Sequence, residues 1–202
     1  MYSSTTKIAQ KPYTSLPITI DSQATGAANT FVQVLSSLFN ELNSSYTQLL
    51  ILCIGSDRST GDSLGPLVGN ILKNLPLQNQ NVTVMGTLSQ PVHALNLKET
   101  RDLLANNFKS AAILAIDACL GQKNKIGCLE IGKGSIYPGA AVKKNLPPVG
   151  DLYITGVVNI GGFMEALVLQ STRLGIVFPL AQFIGRGIFR AASTTDWLSN
   201  SL

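Results

Sequence analysis

The chain has 202 residues, of which 45% are hydrophobic and only 13% charged. That length suits one domain with a real core, and the low charge leaves room for a covered surface such as a homodimer interface. The net charge of +4 comes from scattered residues. The short basic runs Lys123-Asn124-Lys125 and Lys143-Lys144 and the sparse aromatics exclude a nucleic-acid-binding surface as the organising feature.

Other classes fall away on similar grounds. Three cysteines without paired spacing indicate neither a disulfide framework nor a zinc site. The polar N-terminal stretch lacks the apolar segment of a secretory signal, so a cytoplasmic protein is expected. The most apolar region, 174–188, is interrupted by Gly175, Pro179, Gln182, Gly185 and Arg186. No membrane partner is expected from a run shorter than the ~20 apolar residues that a span needs.

Residues 1–18 are polar, carry Pro12 and Pro17, and read as a flexible arm; 19–202 read as a single domain. Phe31, Val34, Leu35, Leu38, Phe39 and Leu42 recur at helical spacing. The continuous apolar run 49–54 predicts a strand buried on both faces. A polar loop follows, and then Leu64, Leu67, Val68, Ile71, Leu72 and Leu75 mark a second helix. Asp62 or Ser63 is the natural N-cap of that helix, with Pro66 in its first turn and Pro76 closing it.

Strand 82–87, helix 95–108 and strand 111–117 come next, then shorter strands at 126–131 and 152–158 and helices at 163–174 and 177–191. Strands alternating with helices predict an α/β fold, a three-layer α/β/α sandwich around a mainly parallel sheet.

Ligand crevices of such sheets lie at the carboxyl ends of the strands. Two predicted strands end there in acidic residues: the first runs into Gly55-Ser56-Asp57-Arg58-Ser59-Thr60-Gly61-Asp62, and the third ends at Asp117. Parallel neighbours would bring Asp62 and Asp117 to one rim, an arrangement suited to shared-proton or acid–base chemistry. Asp62 as a helix cap and Asp117 as a turn former are the structural alternatives.

Gly55 to Gly61 has the outer spacing of a phosphate-binding loop, but Asp62 stands where Lys is required. The only histidine, His93, lies at the exit of the second strand. No G-x-S-x-G elbow supports a Ser/His/Asp triad, and Cys53 and Cys119 with one His make a weak thiol-enzyme set.

Three segments in order carry a resemblance: Thr60-Gly61-Asp62-Ser63-Leu64-Gly65-Pro66, Ala115-Ile116-Asp117-Ala118, and Tyr137-Pro138-Gly139-Ala140-Ala141-Val142 followed by Lys143-Lys144-Asn145. Together they resemble the germination protease (spore protease) family of spore-forming bacteria, most nearly its shorter YyaC-type branch. The family patterns T-P-D-x-L-G-P, I-D-A and H-P-G-x-x-V are met with Gly61 in place of Pro and Tyr137 in place of His. Ser56-Asp57 also replaces the Gly-Asn of the family.

The resemblance implies a fold similar to that of hydrogenase maturation proteases. It further implies endopeptidase chemistry in which Asp62 and Asp117 activate a water, one as base and the other as acid. Asp57, Ser59, His93, Tyr137 and Gly139 are the expected substrate contacts. The implied substrates are small acid-soluble spore proteins, in the forespore or spore interior.

No metal or cofactor is expected, because the nickel-binding relatives use a His after the second Asp and His93 precedes Asp117. Two other readings stay open. One is a catalytically silent relative that binds a peptide or protein partner in the same cleft. The other is a metal-assisted hydrolase using Asp57, Asp62 and His93.

Overall fold

The computed structural model describes residues 16–42, 45–77, 81–138 and 148–198. Strands are β1 (Ile18–Asp21), β2 (Gln48–Cys53), β3 (Val82–Met85), β4 (Ala111–Gly121), β5 (Cys128–Lys133) and β6 (Leu152–Ile160). Helices are α1 (Ala27–Asn40), α2 (Leu64–Lys73), α3 (Leu97–Asn107), α4 (Glu165–Gln170) and α5 (Leu174–Ser193). The sheet order is β1-β5-β6-β4-β2-β3. β3, β2, β4 and β6 run parallel, and β5 and β1 add an antiparallel edge.

The apolar run in β2 is buried because helices cover both faces of the sheet. Leu49, Ile51 and Cys53 join Phe31, Leu35, Val68, Leu72, Ile184 and Ile188 on the side of α1, α2 and α5. Leu50, Leu52 and Ile54 meet Leu97 and Leu104 of α3 on the other side. This is the expected three-layer α/β/α sandwich.

Most of the expected arm, residues 1–15, lies outside the described residues. Its last position, Ile18, instead opens β1, whose pairing with β5 the mixed pattern Ile-Thr-Ile-Asp did not announce. Helix 163–174 was expected to be longer. Its start is delayed by Gly161 and Gly162 and by Met164 in the left-handed region (φ 49°), so that α4 spans only Glu165–Gln170.

α5 departs from expectation the other way. Pro179 falls in its first two turns and does not break it, giving a 20-residue helix long and apolar enough to cross a membrane. Its inward stripe, Val177, Leu180, Ala181, Ile184, Ile188 and Ala191, is part of the core against α1 and α2. That packing accounts for the apolar composition.

The end of the sheet opposite the strands' carboxyl termini is clamped by Asp151. Its carboxylate accepts hydrogen bonds from Tyr46 Oη (2.9 Å) and from the Ile113 amide (2.9 Å), while its own amide donates to Ile113 O (2.8 Å). Burial and the negative charge of Asp151 push the Tyr46 hydroxyl up to about 12. Tyr46→Phe removes a bond to a charged acceptor and is expected to cost about 1–2 kcal/mol in urea unfolding. An unchanged midpoint would show that this bond contributes nothing.

Candidate functional site

The loop after β2 is fixed at both ends. Ile54 donates to Ile116 O (2.7 Å) and Gly55 to Val92 O (2.8 Å), so the chain leaves the sheet between β4 and the segment that follows β3. Gly55 then takes φ 142°, and a side chain there would strike the Asp62 carbonyl oxygen at 2.0 Å. The loop closes where the Ser56 amide donates to that same carbonyl (3.0 Å). A 3-10 turn, Gly61–Ser63, leads into α2.

The turn sits unusually close to the sheet because its inner face is glycine. A methyl group on Gly65 would lie 2.1 Å from Ile54 O, and one on Gly69 would lie 2.0 Å from Gly86 O. Gly61 likewise leaves room for Leu169 of α4, whose Cδ2 would be 2.8 Å from an added methyl. Gly65 and Gly69, four residues apart, lie on one stripe of α2, a spacing the sequence itself carries.

Ser63, one of the two expected residues, occupies the N-cap position of α2, but no side-chain cap bond forms there, and Ser63 Oγ donates to Thr60 O instead (2.6 Å). Asp62 is therefore free of capping duty. Its carboxyl is pushed up to about 6 by burial, against the opposing pull of the Ser56 amide.

β4 continues four residues past Asp117 because β6 pairs with it there, Asp117 lying opposite Thr155. Asp117 begins where β2 has ended, since Cys53 pairs with Ile116. The Ala118 amide donates to Asp117 Oδ1 (2.8 Å). Burial and the neighbouring negative charge of Asp62 hold the Asp117 carboxyl well above the usual carboxylate range, with the Ala118 amide opposing. The turn that carries Asp62 thus packs on β4 at the carboxyl end of the sheet, and the charge of Asp62 acts on Asp117.

The remaining expected residues are scattered. Ser59 shares the loop, and its hydroxyl is buried with no hydrogen-bond partner among the described residues. Asp57 is exposed at the loop tip. His93 is held locally: Nδ1 accepts from the Leu95 amide (3.3 Å), and its backbone carbonyl accepts from Asn96 and Leu97 at the start of α3. Tyr137 is exposed beyond the bridge Ile136–Val149, and Gly139 lies outside the described residues.

No group of three His, Cys, Asp or Glu with metal-binding geometry occurs among the described residues, so Asp57, Asp62 and His93 do not form the trio of the metal-assisted reading. Burial raises the Cys53 thiol and pushes Cys119 up to about 11, which makes both poor nucleophiles. Thr155, which hydrogen-bonds Cys119 beside Asp117, was missed; only the register of β4 with β6 reveals it.

The sequence profile of DUF1256, a family of proteins of unknown function, matches residues 20–187. The chain belongs to the DUF1256 family. It is 47% identical over 154 residues to the uncharacterized protein YyaC of Bacillus subtilis (strain 168), covering 76% of this chain and 74% of that protein. Among solved structures it is similar to a NiFe hydrogenase maturation protease, HycI from Thermococcus kodakarensis KOD1. There the TM-score is 0.43 at 19% identity, over 77% of this chain and 99% of that one.

The buried acids of this DUF1256 chain carry a consequence for stability. With a folded pKa of about 6 against an ordinary value of 3.8, Asp62 binds more protons in the folded than in the unfolded state between those values. Stability therefore falls as pH rises through that window and stays low above it. Asp62→Asn is expected to stabilise the protein at pH 7 by about 1–3 kcal/mol, with the gain vanishing below about pH 4. Denaturant unfolding at both pH values checks this; a variant destabilised at pH 7 would contradict it.

Proposed function

We propose that this protein is an aspartate-dependent endopeptidase acting on a spore protein. The observation that carries the reading is that the turn holding Asp62 packs on β4, the strand of Asp117, at the carboxyl edge of the parallel sheet. Their environments separate their roles. At neutral pH the Asp62 carboxyl, near 6, is mostly ionised, while burial and the charge of Asp62 favour the protonated form of Asp117.

Asp62 then acts as general base on a water that attacks the peptide carbonyl carbon. Asp117 donates its proton to the leaving amine as the C–N bond breaks. The unpartnered Ser59 hydroxyl supports a role in holding the substrate backbone, since a buried orphan donor gains most from a new acceptor. Asp57, His93, Tyr137 and Gly139 are proposed as outer substrate contacts.

The resemblance of the three motifs to germination proteases suggests small acid-soluble spore proteins as substrates and the forespore or spore interior as the location. Incubation with a small acid-soluble spore protein tests the reading, with mass spectrometry of the products. Discrete internal cleavage that Asp62→Asn and Asp117→Asn each abolish supports the peptidase. Binding without cleavage by the wild type would instead favour a silent relative that holds a protein partner in the same cleft.

A further inference from the structure

Large apolar side chains exposed to solvent are concentrated in one stretch of the chain. Eleven are exposed among the described residues, and six of them, Ile160, Phe163, Met164, Leu167, Leu174 and Phe178, fall within nineteen consecutive positions. Phe163 is 81% exposed, Met164 55% and Leu167 50%. Scattered exposed apolar residues need no explanation, but a contiguous patch on a protein surface marks an interaction site.

This patch is held in place. Leu169, on the inner side of α4, is buried against the Gly61–Ser63 turn. From β6, Asn159 Nδ2 donates to Val168 O (3.4 Å) and Thr172 Oγ1 (3.1 Å), and Thr172 Oγ1 donates to Val168 O (2.7 Å). Glu165 accepts the Gly162 amide (3.3 Å), fixing the chain where Met164 takes its left-handed conformation. Backbone strain of this kind persists where surroundings enforce it, often at binding sites. Phe163 and Met164 lead into α4 and Leu167 lies in its first turn, so all three exposed side chains gather at the start of this short helix.

We infer that Phe163, Met164 and Leu167 form a docking platform for an apolar segment of the substrate protein, flanking the bond presented to Asp62 and Asp117. The inference rests on the peptidase reading for the identity of the occupant. Continuity is the first argument: α4 packs on the very turn that carries Asp62, so platform and carboxylates share one rim. Charge is the second. The stretch 160–178 holds one cation, Arg173, and one anion, Glu165, and so lacks the basic cluster that draws a protein to an anionic membrane.

The test uses the full-length Asp62→Asn protein, which cannot cleave under the proposed mechanism, against an immobilised library of random 12-residue peptides. Retained peptides are expected to be enriched in Leu, Ile, Val and Phe. A fluorescent copy of the best one should bind about tenfold or more weakly when Phe163→Ser and Leu167→Ser are added, with an unchanged melting temperature because both positions are exposed. Absence of apolar enrichment, or equal binding by the added-substitution protein, overturns the platform. So does a wild-type dimer in sedimentation equilibrium that Phe163→Ser/Leu167→Ser dissociates. If the peptide binds through the platform and wild-type protein leaves it intact, the platform stands and the peptidase reading fails. Cleavage indifferent to Phe163 and Leu167 has the reverse meaning.

Discussion

Asn at either Asp62 or Asp117 is expected to lower peptide cleavage by about 10³-fold or more, in a protein that still folds. The size follows from the roles. Asp62→Asn removes the base that takes the proton from water, and Asp117→Asn removes the proton for the leaving amine. Because the two act in one transition state, the double variant should lose little more than either single one. The rate should rise with pH through about 6 as Asp62 ionises, and decline at higher pH as Asp117 gives up its proton. Loss of activity should accompany gain of stability, because both carboxyls are held in surroundings that disfavour their charge. A loss of activity with a loss of folding would point to a structural pair instead. Initial rates across pH 4–9, with unfolding curves on the same samples, separate the two.

Gly65→Ala is expected to be strongly damaging, because the added methyl meets backbone. The added carbon would lie 2.1 Å from Ile54 O and 2.7 Å from Ile54 N. Both are backbone atoms of the segment that leads into the candidate site, so no side chain can swing aside. α2 would have to rise from the sheet, taking the Asp62 turn with it. The expected cost is about 3 kcal/mol or more, with any activity lost even where the protein remains folded. Gly175→Ala is the control, since nothing lies within 4 Å of its added methyl and the same change should be close to neutral. Equal unfolding midpoints for the two variants would contradict the close approach of α2 and β2.

The layers were legible because their signals are periodic. Leu49 to Ile54 read as a doubly buried strand, and the stripe Leu64, Val68, Leu72 as the inward face of α2, and both are so. β1 was not legible: four residues alternating apolar and polar at an edge carry almost no signal until β5 is known to lie beside them. The site was legible in its position, since parallel strands ending in acid deliver those acids to one edge. It was not legible in its detail. That Asp62 caps nothing depends on Ser63 turning back to Thr60 O, and that Asp117 stands beside Thr155 depends on the register with β6. His93 is legible in its place near the edge but not in its bonding: the hydrogen bonds that tie it to the start of α3 emerge only in the fold. The apolar platform escaped notice because Phe163 to Leu169 has the composition of a core helix, and only packing tells its outward face from its inward one.

The central claim is that Asp62 and Asp117 form one electrostatically coupled pair. Titration of the side-chain carboxyl ¹³C resonances of the wild-type protein and of Asp62→Asn tests it most directly. In the wild type Asp62 is expected to titrate near 6 and Asp117 well above the carboxylate range, with a lower Asp117 pKa once the Asp62 charge is gone. Two carboxyls titrating independently near 4, with Asp117 unmoved by the substitution, would contradict it.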